Sequence, residues 1–200
     1  MTTGLVSPKR CADSDGDRHN DGLKLHDLSL ATRSGVRGVR ASEWLIAQSL
    51  HQELKTHELQ PPELQPNTLV ELPDSRLLMA LSTREFWLLE PETEAQESPI
   101  PSGHCAPGVW PLYNQNSHAW LVLSGEPRAE MMAKLCGVDL RLEAFPVGTV
   151  AQTQMALVSV VIAHHLWRGE AVFSLFIDQS LADFAWEALQ DAMAEFNSVQ

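Results

Sequence analysis

Several residue types are scarce in this 200-residue chain, and each shortage excludes a class of protein. The chain has 14 lysines and arginines against 26 aspartates and glutamates, a formal net charge of −12. Nucleic-acid backbones and anionic membranes bind clustered basic residues, so we expect neither as a partner. The three cysteines, Cys11, Cys105 and Cys136, form no Cys-x-x-Cys pair. They predict neither a disulfide framework nor a zinc site.

Long apolar runs are missing as well. The longest nearly apolar run, Met155 to Ala163, is far shorter than the roughly 20 residues of a membrane-spanning helix. The first 20 residues lack the apolar stretch of a signal peptide. We therefore expect a cytoplasmic protein without a membrane partner.

The motifs of common enzyme classes are absent from the sequence. It contains no Gly-x-Ser-x-Gly, no Walker-type loop and no His-Glu-x-x-His. Gly35 and Gly38 are too sparse for a dinucleotide-binding fingerprint. The adjacent His164 and His165 would point to opposite faces of a strand and could not bind one metal together. The sequence thus predicts no catalytic, cofactor-binding or metal-binding residue in this chain.

Composition separates a tail from one domain. Residues 1–24 are polar and rich in aspartate, which predicts a flexible acidic tail. Residues 25–196 have the size of a single domain. Within it, residues 91–108 contain four prolines and three glutamates, which predicts a long surface loop.

The two halves of that domain show similar orders of predicted elements. In the first half, a strand at 25–31, a turn at 34–38 and a helix at 41–50 precede strands at 68–72, 76–81 and 85–89. In the second half, a strand at 118–123 and a Met-rich helix that ends before Gly137 precede a β-rich run at 150–164 and a strand at 171–177. A turn around Arg168-Gly169 is predicted to join the last two. A last helix begins at Ser180, with Ser180 and Asp183 at capping spacing. We predict an α+β fold of two β-α-β-β halves with antiparallel sheet.

Tryptophan is unusually frequent, with six residues against one tyrosine. Trp110 and Trp167 fall in or beside predicted loops, where tryptophan often anchors a protein–protein interface. Covering the edges of a small core is an equally good explanation for both.

A series of short motifs in residues 121–196 carries a resemblance. It comprises Leu-Ser-Gly at 123–125, Lys-x-Cys at 134–136, Val-Asp-Leu at 138–140, Phe145-Pro146-x-Gly148 and a Ser-Leu-Ala-x-x-x-Trp helix at 180–186. Together they resemble the gamma subunit of heterotetrameric sarcosine oxidase, a small relative of the folate-binding aminomethyltransferases. The family commonly has Gly where this chain has Leu135, and Pro-Arg-Ser where it has Asp178-Gln179-Ser180.

The resemblance implies an aminomethyltransferase-like, folate-binding-domain-like fold and an accessory, non-catalytic role. The complex would demethylate sarcosine oxidatively and pass the one-carbon unit to tetrahydrofolate. Larger alpha and beta subunits, the partners of this chain, would hold FAD, FMN, NAD and tetrahydrofolate, and this chain would hold no cofactor. We expect Trp110, Trp167, Phe145 and Pro146 at the interface with them.

An independent folate-binding protein of the aminomethyltransferase type is the alternative. Lys134-Leu135-Cys136 resembles the start of the signature Lys-Gly-Cys-Tyr-Thr-x-Gly-Gln of folate proteins involved in iron–sulfur repair. The sequence departs from that signature after Cys136. Titration of the isolated chain with a reduced folate separates the two interpretations.

Overall fold

A computed structural model describes residues 22–47, 65–72, 75–94, 100 and 105–198 of the chain. The tail predicted at 1–24 and the end of the helix predicted at 41–50 fall mostly outside these residues. The strands are β1 (Lys24–Asp27), β2 (Ala31–Arg37), β3 (Thr68–Glu71), β4 (Leu77–Ser82), β5 (Glu85–Glu94), β6 (Trp110–Leu112), β7 (His118–Ser124), β8 (Val150–Met155), β9 (Val158–Trp167) and β10 (Glu170–Asp178). The helices are α1 (Ala41–Ala47), α2 (Asn114–Ser117), α3 (Arg128–Met132) and α4 (Ala182–Ser198), and a 3₁₀ turn (Gln179–Leu181) precedes α4.

The described strands form two five-stranded sheets with antiparallel pairing, in the orders β1-β7-β10-β9-β8 and β6-β2-β5-β4-β3. Written this way, the two orders correspond strand by strand. The prediction of an α+β fold built from two similar halves with antiparallel sheet is therefore confirmed.

The halves exchange their first strands, which the sequence pattern did not reveal. β1 comes from the first half but pairs with β7, so that Lys24 lies opposite Ser124. β6 precedes the second half but pairs with β2, so that Arg37 lies opposite Trp110. Each sheet is therefore completed by a strand from the other half of the chain.

A second connection joins the sheets along their other edges. Thr68 of β3 forms an isolated bridge with Thr149, just before β8. The Leu69 amide donates to the Gly148 carbonyl over 2.8 Å, and the Val150 amide donates to the Asn67 carbonyl over 2.9 Å. These bonds satisfy backbone groups of two edge strands that would otherwise be open to other chains.

The core has four layers, with α4, one sheet, the other sheet and α1 packed in that order. Side chains of β10 alternate between two of the interfaces: Phe173, Leu175 and Ile177 pack with α4, whereas Val172 and Phe176 pack between the sheets. The second sheet contributes Phe86 and Leu88 to a cluster with α1. β10 is therefore apolar on both faces, as is usual for a strand covered on both sides.

The turn predicted at Ser34–Gly38 is wrong. Residues 34–37 belong to β2, and the chain turns only at residues 38–40. Gly35 serves a close approach instead, because a Cβ atom there would lie 2.9 Å from the Phe86 carbonyl oxygen. A glycine inside a strand often marks such an approach.

The loop predicted at 91–108 begins too early, because β5 continues through Pro91 to Glu94. Its register with β2 shifts there: Thr32 lies opposite Glu90, but Ala31 lies opposite Glu94. Pro91 lies in this bulge, where the ladder does not require its missing N–H group.

Three boundaries in the second half also differ from the prediction. The β-rich run at 150–164 is split by a turn at Ala156 and Leu157, which have positive φ angles of 48° and 69°. The helix predicted to end just before Gly137 ends at Met132, and Cys136 bridges to Met155. Asp178, rather than Ser180 or Asp183, caps the last helical segment by accepting from the Ser180 amide over 2.9 Å.

Two glycines provide a matched test of the packing. A Cβ atom on Gly38 would overlap the carbonyl oxygen of Gly108, whereas one on Gly137 would have no atom within 4 Å. We expect Gly38→Ala to lower the free energy of unfolding by about 1–3 kcal/mol, through overpacking and through backbone strain at its φ of 153°. Gly137→Ala should leave it within about 0.5 kcal/mol or raise it slightly. Urea denaturation of both variants measures the difference, and equal midpoints would contradict the close approach.

In the described part of the chain, no helix is both long enough and apolar enough to cross a membrane.

Candidate functional site

A cleft of about 760 Å³ opens at one end of the sheet that contains β7 and β10. Its walls are formed by the start of β1, the end of β7, α3, the loop at 140–147, the C-terminal part of β9 and the start of β10. Its lining includes charged, aromatic and aliphatic side chains: Lys24, Glu126, Arg128, Leu140, Arg141, Leu142, Glu143, Val147, His164, Glu170 and Phe173.

Arg128 is the half-buried cation of this cleft. Its Nη1 donates to the Gly125 carbonyl over 3.1 Å, and its Nη2 lies 3.4 Å from His164 Nε2. The guanidinium carbon lies 5.3 Å from the centre of the Phe173 ring, a cation–π distance. Burial lowers the pKa of Arg128. These contacts fix the plane of the guanidinium group.

His164 supports Arg128 in a defined tautomer. Its Nδ1 lies 2.7 Å from the Phe145 carbonyl oxygen. A carbonyl only accepts, so Nδ1 carries the proton and Nε2 accepts from Arg128. Burial lowers the pKa of His164, and the charge of Arg128 lowers it further. The ring is also enclosed by Phe145 and Phe173, with centroids 6.0 and 5.0 Å away.

The acidic residues of the cleft do not pair with Arg128. Glu126 and Glu170 raise its pKa from a distance. Among the described residues, no carboxylate lies within 4 Å of its guanidinium nitrogens. Arg141, by contrast, is paired with Asp139 over 2.6 Å. The Nε of Arg128 is buried and has no hydrogen-bond partner in the described chain.

His165, on the opposite face of β9, belongs to a sealed hydrogen-bond chain in the core. Trp120 Nε1 donates to Ser174 Oγ over 2.8 Å, and Ser174 Oγ lies 2.7 Å from His165 Nε2. His165 Nδ1 donates to the Leu166 carbonyl over 2.8 Å. Burial lowers the pKa of His165 to about 4. This serine–histidine pair lies within the core, where a substrate has no access, so its role is structural.

A second cleft, of about 780 Å³, lies beside β8 and the start of the last helix. Its lining is mostly uncharged, with Gln152, Thr153, Ser159 and Ser180 beside His118 and Asp178. The part of the chain that the structure describes contains no group of three His, Cys, Asp or Glu side chains able to hold a metal ion.

The four residues expected at an interface fall into two pairs. Trp110, on the edge strand β6, is 57% exposed, and Pro146 is exposed in the loop at 140–147. Trp167 is only 8% exposed: it donates to Glu92 over 2.9 Å and is covered by the Arg168 guanidinium at 4.6 Å. Phe145 is 5% exposed because it packs against His164. Burial within the chain therefore argues against an interface role for Trp167 and Phe145, and the prediction narrows to Trp110 and Pro146.

Sequence reasoning missed Arg128 and the exposed apolar side chains at the rim of the cleft, Leu142 and Val147. The signal for Arg128 was present in its position three residues after Gly125, which follows the last residue of β7. A basic residue there is common enough on surfaces that only the three-dimensional contacts distinguish it.

Comparison with known protein families finds a match for the second half of the chain. Residues 112–195 match the sarcosine oxidase gamma subunit family. The matched segment runs from the end of β6 into α4 and contains the whole β7-α3-β8-β9-β10 repeat. The resemblance seen in the motifs of residues 121–196 is thereby confirmed. No curated protein sequence matches the chain.

Two solved structures share its fold over most of its length. A chain of heterotetrameric sarcosine oxidase from Corynebacterium sp. U-96 superposes with a TM-score of 0.64 at 19% identity, covering 89% of this chain and 87% of that one. Aminomethyltransferase T of the glycine cleavage system from Bartonella henselae superposes with a TM-score of 0.53 at 16% identity. This second match covers 88% of this chain and 50% of the aminomethyltransferase. The predicted aminomethyltransferase-like fold is confirmed.

Proposed function

We propose that this chain is an accessory, non-catalytic subunit of a sarcosine-oxidase-like flavoenzyme complex. The match of residues 112–195 to the gamma subunit family carries the proposal. The fold likeness to a chain of a heterotetrameric sarcosine oxidase, with nearly equal coverage of both chains, supports it. The serine–histidine pair at Ser174 and His165 is sealed in the core, which agrees with chemistry performed on other subunits.

In this proposal the larger alpha and beta subunits hold FAD, FMN, NAD and tetrahydrofolate, and the complex works in the cytoplasm. The substrate class is an N-methyl amino acid such as sarcosine. Trp110 and Pro146 contact the larger subunits, because exposed tryptophan is a frequent interface anchor. The net charge of −12 argues against a nucleic-acid partner.

Co-expression with flavin-binding alpha and beta subunits tests the assignment. The tagged chain is expected to co-purify with subunits that show flavin absorbance. Trp110→Ala should weaken the association about tenfold or more, as expected for an interface anchor. Leu157→Ala is the matched control, because Leu157 is 92% exposed at the β8–β9 turn and lies away from β6.

Two results would contradict the proposal. If no flavin-containing subunit co-purifies, the accessory-subunit function fails. If the isolated chain binds a reduced folate with a Kd of about 1 μM, which corresponds to a binding free energy of about −8 kcal/mol, the chain is an independent folate-binding protein instead.

A further inference from the structure

Two buried or half-buried arginines of this chain differ in how their N–H groups are satisfied. A guanidinium has five N–H donors. In Arg33, every one has a backbone carbonyl acceptor: Nε meets Asn114, Nη1 meets Ser29 and Ala31, and Nη2 meets Gln115 and His118. Arg33 is therefore a structural residue that needs nothing from outside the chain.

Arg128 is incompletely satisfied by comparison. The described chain supplies it with two acceptors, the Gly125 carbonyl and His164 Nε2, and with no carboxylate within 4 Å. A partly buried cation without a counter-ion costs free energy, which an external anion can offset. Its guanidinium lines an open cleft that such an anion can enter.

We propose that this cleft is a binding site for a small organic carboxylate, with Arg128 as its counter-ion. Arg128 suits this ligand because its planar fork matches the two oxygens of a carboxylate. Gly125, His164 and the Phe173 ring already hold the fork in place, so little entropy is lost on binding. Leu140 and Ala171 provide apolar surface for the body of the ligand.

The size and charge of the cleft narrow the ligand class. A volume of about 760 Å³ lies within the range of roughly 300–1,000 Å³ that is typical of small-molecule sites. Three carboxylates, Glu126, Glu143 and Glu170, also line the cleft. Three cations, Lys24, Arg128 and Arg141, line it beside them, so the lining carries no excess of positive charge. A singly charged carboxylate is therefore favoured over a more highly charged phosphate.

The test is a titration of the ¹⁵N-labelled full chain with sodium benzoate, sodium acetate and inorganic phosphate, followed by NMR of the arginine Nε–H signals. The Arg128 signal, assigned by its loss in Arg128→Gln, is expected to shift saturably with benzoate, with a Kd of about 1 mM or below. Phosphate should bind at least tenfold more weakly. Arg128→Gln should weaken benzoate binding tenfold or more, as followed through backbone amides around the cleft. Arg37→Gln, on the other sheet, should bind like the wild type.

Three outcomes overturn the proposal. The first is a linear, non-saturating response of the wild-type chain to benzoate and acetate, which needs no variant to interpret. The second is phosphate binding as tight as benzoate binding. The third combines two results: the isolated chain does not respond to the carboxylates, and Arg128→Gln assembles more weakly with the larger subunits. The carboxylate that pairs with Arg128 would then belong to a partner side chain.

Discussion

Replacing Arg33 with alanine is expected to lower the free energy of unfolding by about 3–5 kcal/mol, as for the loss of one partner in a buried charged network. The variant removes the Arg33 donors from the carbonyls of Ser29, Asn114, Gln115 and His118, and it leaves the Ala31 carbonyl with only the Gln115 Nε2 donor at 3.2 Å. These carbonyls come from the segment after β1 and from the segment after β6. The substitution therefore removes hydrogen bonds that join the two halves of the chain. Burial lowers the pKa of Arg33 to about 10, and the side chain is therefore still charged at neutral pH.

Two further variants make this prediction specific. Arg33→Lys keeps the charge but offers three donors in place of five, so it should lose roughly half as much stability. Arg37→Ala removes an arginine from the same strand whose ion pair with Glu85 is solvent-exposed, and should cost about 0–1 kcal/mol. Urea denaturation measures all three. A loss below about 1 kcal/mol for Arg33→Ala would show that the carbonyls find other donors.

Stability is expected to fall by about 3 kcal/mol between pH 6.5 and pH 4 through His165 alone. The unfolded chain binds the His165 proton near pH 6.5, whereas the folded chain binds it only near pH 4. Within that window the unfolded state holds more protons, so acid favours unfolding. The contribution of neutral His165 is therefore complete above pH 6.5 and is lost as the pH falls to 4.

Comparison of the wild type with His165→Gln isolates this effect from the carboxylates that titrate in acid. Glutamine can still accept from Ser174 but does not titrate, so its stability should depend less steeply on pH over the same range. Denaturation at several pH values from 4 to 7 measures both slopes. Parallel slopes for the two proteins would mean that His165 does not take up a proton on unfolding.

The sequence predicted those elements whose local chemistry agrees with their tertiary role. The turn at Arg168 and Gly169 was predictable because glycine tolerates its positive φ of 82°. The opposite orientation of His164 and His165 followed from strand geometry, and their different partners confirm it. The family resemblance came from motif order within the repeat that the family model also matches.

The elements that were missed depend on contacts between residues far apart in sequence. The turn at Ala156 and Leu157 uses two residues that disfavour positive φ, so no local signal marks it. Pro91 continues a strand because a bulge against β2 accommodates it. The burial of Arg33 could not be predicted from the sequence, because a charged residue is normally exposed. The five carbonyls that accept its hydrogen bonds come from both halves of the chain.

The exchange of first strands also constrains the order in which the strands of this protein can pair during synthesis. β1 cannot pair until β7 has been synthesised. The sheet of the first half likewise lacks its edge strand β6 until the chain has been synthesised beyond residue 112. Asn197 then exchanges two hydrogen bonds with the Leu23 backbone, of 3.0 and 3.1 Å, and so fastens the last helix beside the first strand. A nascent first half on the ribosome therefore carries an open β2 edge, which invites pairing with other chains. Such long-range closure slows folding, and the open β2 edge is prone to aggregation until β6 has paired with it.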